Sequence, residues 1–366
     1  MARRSSGPVI AAIAIAVGAV TAFLAAYSLN RPTTTHDFLA FYAGASLARE
    51  GRAGELYNLE EILERQAPIQ DAGRVIPFNR PPFYAVLLAP LALLRYEGAF
   101  WTWIFLQIAA LTGCWIWAAR RFGHDAVVFT ILYPPAILGI AHGQDCAFVL
   151  AILIGSYVLA ERGKHFRSGL LLGAGLVKFH LMLLWPLALL MQKRWRALAG
   201  FATAGAIGVF WSVALIGLSG IGPYIRVLTT TQMKELAPSI YKHINVEAFL
   251  ANFDVRAPTI VLVLDAAFAC FALMKLRKSE LPKFYSGTLA ATVVVSPHVF
   301  GYDATMLLLP LWLSISRARS RFLRYFAGVA ASPVLVSLLL FHKPMPALVS
   351  LSLALFAVLL LVADDV

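Results

Sequence analysis

The sequence predicts an all-α polytopic membrane protein. Three observations carry that prediction: 60% of the 366 residues are hydrophobic, only 14% are charged, and the mean hydropathy is +0.75. A soluble chain of this length needs far more polar surface. Lys and Arg outnumber Asp and Glu by 31 to 19, a net charge of +12. In a soluble protein that excess suggests nucleic acid as a partner. Here the basic residues sit in short clusters between apolar runs, which is the pattern of membrane topology, so the expected partner is membrane lipid and no nucleic acid. Cys114, Cys146 and Cys270 lie in or beside apolar runs without metal-ligand spacing, and are expected to be packing residues.

The first apolar run, 8–29, follows Arg3 and Arg4 and is long enough to span a hydrocarbon core of about 30 Å, so it reads as an uncleaved signal anchor. Segment 30–81 is polar but has helical texture. Asp37 is placed to cap a helix running to about Glu50, and Asn58 followed by Glu61 resembles a capping box, with Gly51 and Gly54 separating the two short helices. A short apolar run at 82–94 precedes longer ones near 98–119, 125–141, 145–160, 168–191, 197–219, 257–274, 284–297, 302–316, 325–341 and 346–363. Together they give roughly 10–13 membrane segments in one integral membrane domain, 1–366. Trp101, Trp103, Trp115 and Trp117 are expected in an interfacial belt or in packing.

Orientation follows from the basic loops: Arg120 and Arg121; Arg162, Lys164 and Arg167; Lys193, Arg194 and Arg196; Lys275, Arg277, Lys278 and Lys283; Arg317, Arg319, Arg321 and Arg324. All five are expected to be cytoplasmic. Placing them so forces both flanks of 168–191 onto one side and leaves 82–94 too short to cross. Each therefore reads as a broken or re-entrant element, and irregular backbone at membrane depth is tolerated only where it is buried or lines a wet cavity. The long polar stretches, 30–81 and 220–256, fall on the opposite side, where the chemistry is expected.

Ionisable groups at membrane depth are costly, so those that the apolar runs retain need a reason. They are Asp37, Arg80, the run His142-Gly143-Gln144-Asp145, Lys178 and His180, Asn245, and His298 with Tyr302 and Asp303. Each has a plain structural alternative. Asp37 caps a helix; His142 and Gln144 end two helices at a turn; His298 and Asp303 belong to a loop; Lys178 is neutralised by a carboxylate such as Asp303. Nucleotide-binding Gly-rich loops, Gly-x-Ser-x-Gly elbows and His-Glu-x-x-His helices are absent from the sequence, which argues against a dedicated nucleotide domain.

The stretch from His36-Asp37-Phe38 through Tyr42, Glu55-Leu56-Tyr57-Asn58 and Phe78-Asn79-Arg80-Pro81-Pro82-Phe83, followed later by Gly143-Gln144, Gly173 to Lys178 before Trp185-Pro186, and Ser296-Pro297 ahead of Tyr302-Asp303, resembles glycosyltransferase family 87. That resemblance implies a GT-C bundle with a helical first outer loop. It further implies an inverting glycosyltransferase that moves a hexose, mannose foremost, from a polyprenyl-phosphate donor to an extracytoplasmic lipid or glycan acceptor. By the same resemblance Asp37 is the catalytic base. Residues 30–81 and 220–256 then face the periplasm or exterior of a bacterial inner membrane.

A transfer of this kind asks for a base, stabilisation of an oxocarbenium-like centre, and cations for the departing phosphate. Lys178 and Arg80, with His180 and His298, are the candidates for the donor phosphate. His142, Gln144, Asn245, Tyr302 and Asp303 are the candidates for sugar or acceptor hydroxyls. One carboxylate suffices for inversion. No cofactor or metal is required, although Asp37 with Asp145 or Asp303 would offer oxygen ligands if they converge. The rival reading is a transporter or lipid flippase, which also uses discontinuous helices and buried charge. A membrane scaffold leaves the retained charges without a use.

Overall fold

The computed structural model describes residues 37–69, 75–123, 130–131, 133–229, 240, 243–317, 329, 335 and 338–363. The expected signal anchor at 8–29, most of the run at 325–341, the first part of 125–141 and the basic residues Arg319, Arg321 and Arg324 lie outside them. Among the described residues there are helices and no strand, with one isolated antiparallel bridge between His243 and Phe300.

The polar segment after residue 36 folds as two helices, α1 (Phe38–Arg49) and α2 (Leu59–Gln66). Asn58 caps α2 by accepting from the Glu60 backbone N–H. The full capping box does not form, because Glu61 turns to Arg52 at 2.6 Å instead of reaching back. Arg65 donates to Glu50 at 2.5 Å and ties α2 to the end of α1. That hydrogen bond holds the Glu50 carboxyl below the usual carboxylate range. Asp37 stands at the N-terminus of α1 as expected, but its side chain makes no capping bond. The capping explanation of Asp37 is therefore wrong, and its carboxylate is turned elsewhere.

The chain then returns through an extended stretch held by Gln66, whose amide donates to the Ile76 carbonyl at 2.7 Å and accepts from its N–H at 2.9 Å. Pro82 opens α3 (Pro82–Leu88), where its missing N–H costs nothing, and a short 3-10 turn to Leu93 completes the run that is too short to cross. Next come α4 (Tyr96–Phe122), α5 (Pro134–Ala141), α6 (Cys146–Glu161), α7 (His165–Ala174), α8 (Leu184–Met191) and α9 (Trp195–Ile216). After α10 (Ile221–Thr229) and α11 (Val246–Ala251) lie α12 (Pro258–Leu276), α13 (Leu281–Val295), α14 (Leu308–Arg317) and α15 (Ala347–Val362).

Three of these, α4, α9 and α12, are long and apolar enough to cross a membrane alone. Their outer faces carry exposed Phe105 and Ile108, Val209 and Phe210, and Leu262 and Val263, the surface expected against lipid. Cys270 on α12 is exposed too, so it is not the packing residue expected of it. A fourth span is broken as expected: α7 with the 3-10 stretch Gly175–Met182 meets α8 at 114°, and Lys178 has non-helical φ/ψ inside that stretch.

The broken element is clamped by close helix packing. A Cβ on Gly169 of α7 would lie 1.8 Å from the Ala197 carbonyl oxygen of α9, and one on Gly200 would lie 2.1 Å from the Phe166 oxygen. Only glycine permits that approach, the small-residue contact that membrane helices use where lipid provides no hydrophobic drive. On the other side, Ser156 of α6, Ser168 of α7 and Tyr285 of α13 share buried hydroxyl contacts at 2.8 to 3.1 Å. Lys178 is thus held in a bend that neighbours on two sides fix.

Candidate active site

Five separated pieces of chain meet at the N-terminus of α1. The first is the N-terminus of α1, whose Phe38 ring packs on Tyr96, Phe100 and Trp103 of α4 at 5.8 to 5.9 Å. Trp103 is buried and donates its indole N–H to the Gly143 carbonyl at 2.8 Å, so it is one of the packing residues and builds the site wall. The second piece is Arg80, whose carbonyl accepts from Tyr57 at 2.7 Å. The third is the turn 142–145 between α5 and α6, and the fourth and fifth are the paired breaks at Lys178 and 296–307.

A continuous polar chain runs through them. Gln144 donates from Nε2 to Asp37 Oδ2 at 2.8 Å and accepts at Oε1 from Arg80 at 2.9 Å. Arg80 also donates to both oxygens of Asp145, at 3.2 and 3.0 Å. Asp145 lies 3.2 Å from Lys178 Nζ, and Lys178 in turn lies 2.5 Å from Asp303. Asp303 accepts from the Phe300 N–H at 2.9 Å, which fixes the break before α14. Cys146 accepts from Lys178 at 3.2 Å, a contact with no signal in the sequence.

Formal charge within the floor is balanced, two cations against two carboxylates. Arg80, Gln144, Asp145, Lys178 and Asp303 are all buried, whereas Asp37, His142, Tyr302 and His298 are only partly so. These four form the mouth: the His142 and Tyr302 rings are 5.9 Å apart, and Gln144 Nε2 also reaches the Tyr302 hydroxyl at 3.3 Å. Asp37 is the carboxylate of this network that solvent or substrate reaches.

Beside the floor, three imidazoles cluster. His298 lies 5.7 Å from His180 and 5.4 Å from His243, ring centre to ring centre. His243 arrives because the chain ahead of α11 returns here: Ile244 donates to the Val299 carbonyl at 3.1 Å. Nε2 of His180 and both nitrogens of His243 are buried without a hydrogen-bond partner. Asn245, expected to meet sugar, spends both ends of its amide on protein: it donates to the Ser296 carbonyl and caps α11 through the Ala248 N–H, each at 2.9 Å. It holds the His298 turn in place. Asp145 and Asp303 are likewise spent on Arg80 and Lys178. Among the described residues no group of three or more His, Cys, Asp or Glu side chains is placed to hold a metal ion.

Burial, with His298 adding, pushes the His243 imidazole down to about 3. A depressed folded value means that the unfolded chain takes up the proton first. Its stabilisation is therefore intact above the ordinary imidazole range near 6.5 and is lost as pH falls from there. The thermal midpoint of the purified protein is expected to drop between about pH 7 and pH 5, and His243→Gln to flatten part of that drop. An unchanged slope in the variant contradicts a buried neutral imidazole.

The geometry defines a site with one partly exposed carboxylate over a buried, charge-balanced floor, at the N-terminus of α1. The profile of glycosyltransferase family 87 matches residues 78–297, more than half of the chain. The chain belongs to glycosyltransferase family 87, and it is a membrane glycosyltransferase. Arg80, the 142–145 turn, Lys178 and His243 fall inside the matched region; Asp37 and Asp303 flank it. No curated protein and no solved structure matches the chain.

Proposed function

We propose that this glycosyltransferase is inverting and moves a hexose, mannose foremost, from a polyprenyl-phosphate donor to an extracytoplasmic lipid or glycan acceptor. The observation that carries the reading is the isolation of Asp37: a single half-buried carboxylate at the mouth, hydrogen-bonded by Gln144, with the remaining charges paired below it. One positioned carboxylate is what a single displacement needs, whereas retention asks for a second as nucleophile. Asp37 takes the proton of the acceptor hydroxyl as that oxygen attacks the anomeric carbon and the bond to the lipid phosphate breaks.

The departing phosphate is assigned to the side of Lys178, Arg80, His180 and His298. Lys178 and Arg80 already hold carboxylates, so phosphate oxygens would share or replace the contacts of Asp303 and Asp145. The unpartnered His180 Nε2 adds a ring nitrogen on that side. Sugar and acceptor hydroxyls are assigned to His142 and Tyr302 at the mouth, with Gln144, Asp303 and Asn245 supporting them from behind. The lipid tail lies among the apolar helices, and neither metal nor organic cofactor is invoked. The site faces the periplasm or exterior of a bacterial inner membrane, with the basic loops cytoplasmic.

A deletion strain tests the reading. Mass spectrometry of its lipids is expected to show a polyprenyl-phosphate hexose, or an acceptor one sugar short, accumulating. An unchanged lipid profile with altered uptake of a solute favours a transporter, to which a bent span with buried charge is also suited.

A further inference from the structure

We infer that Gln144 is a positioning residue, whose carboxamide is set by Arg80 and in turn fixes the Asp37 carboxylate at the mouth of the site. This rests on the reading of Asp37 as the base. An amide has one acceptor end and one donor end, and which end faces a carboxylate is settled by the group at the other end. Arg80 offers only donors, and its Nη2 lies 2.9 Å from Gln144 Oε1. The acceptor end is therefore taken. Both hydrogens of Nε2 are left for Asp37 Oδ2 at 2.8 Å and the Tyr302 hydroxyl at 3.3 Å.

Arg80 cannot turn away, because the same guanidinium is held by both Asp145 oxygens. The backbone under Gln144 is pinned as well. Its N–H donates to the Gly139 carbonyl at 2.8 Å, its carbonyl accepts from Gln107 Nε2, and the preceding Gly143 carbonyl accepts from Trp103. Gly143 has φ +66, and a Cβ there would lie 2.6 Å from Phe38 Cβ, so the turn presses directly on the residue that follows Asp37. A hydroxyl-binding glutamine needs its amide free to meet ligand. This one is engaged at Oε1 by Arg80 and directed at the base by Nε2, the arrangement that holds a reacting group without reorganisation.

The test is a kinetic cycle on the purified protein in lipid nanodiscs, with a polyprenyl-phosphate mannose as donor and release of mannose to water or acceptor as the readout. Gln144→Glu keeps the shape and an acceptor for Arg80 but removes the donor to Asp37. Gln144→Leu removes both, and the Glu variant carries the test if the Leu variant does not insert. Each is expected to lower kcat on the order of 10²-fold, the cost of a misplaced reacting group, with donor KM nearly unchanged. Adding Gln144→Glu to Asp37→Asn is expected to cost nothing further, because a residue acting only through Asp37 has nothing left to act on. Losses that multiply, or a raised KM with intact kcat, overturn the positioning role. Wild-type protein that releases no sugar overturns the proposed polyprenyl-phosphate mannose donor instead. Wild-type turnover with unimpaired Gln144→Glu overturns only this inference.

Discussion

Asp37→Asn is expected to give a folded, membrane-inserted protein that binds donor and transfers sugar at least about 10²-fold more slowly. The fold should survive because Asp37 caps nothing: its side chain makes no bond to the α1 backbone, and an asparagine oxygen accepts from Gln144 as the carboxylate does. What the amide lacks is the capacity to take a proton from an attacking hydroxyl. General bases contribute typically about 10²–10⁴-fold, so near-normal turnover by the purified variant removes Asp37 from the mechanism. Donor binding by the variant, read separately, keeps the loss attributable to the chemical step.

The second large effect concerns the floor. Lys178 is 1% exposed and touches both Asp303 and Asp145. Lys178→Met leaves Arg80 alone against two buried carboxylates, and breaking a buried pair in this way costs about 3–5 kcal/mol. The single variant is expected to be poorly recovered or to unfold at much lower temperature. Lys178→Met with Asp303→Asn restores the balance between Arg80 and Asp145 and is expected to recover most of that stability. The double variant also separates structure from chemistry. If it is stable yet fails to bind a polyprenyl phosphate, the lysine charge serves the donor; if it binds normally, Lys178 is structural. A single variant as stable as the wild type contradicts the buried network.

Much of this was readable from the sequence, and the reason is the membrane itself. Hydrocarbon penalises unpaired polar groups so strongly that a charge retained in an apolar run marks a use, which singled out Arg80, Gln144, Lys178 and Asp303. Helix extents followed from hydropathy: the run at 98–119 became Tyr96–Phe122, and that at 257–274 became Pro258–Leu276. The break near Lys178 was legible because the basic loops left no other way to place 168–191.

Pairings were less legible. Arg80 meets Gln144 and Asp145 over more than sixty residues of chain, and Asp37 meets Gln144 over more than a hundred, distances at which periodicity carries no information. Two readings failed because a local motif lost to a longer-range contact: Asp37 prefers Gln144 to its own helix, and Glu61 prefers Arg52 to Asn58. Other polar groups went unremarked although the same argument would have found them. Gln107 is buried in α4 and supports the Gln144 backbone. Asp265 sits inside the apolar helix α12 with Oδ1 lacking a partner. His243 lies in the polar segment 220–256, where no apolar run sets it off.

If Asp37 is the base, a lipid-linked sugar leaves its phosphate at this site. The direct measurement is transfer by the purified protein, reconstituted with membrane lipid extract as acceptor and polyprenyl-phosphate hexoses labelled in the sugar. Label is expected to move from the polyprenyl phosphate to a new lipid or glycan product with inverted anomeric configuration, in wild type and not in Asp37→Asn. Label retained on every donor by an intact, correctly inserted wild type, or equal transfer by both proteins, contradicts it.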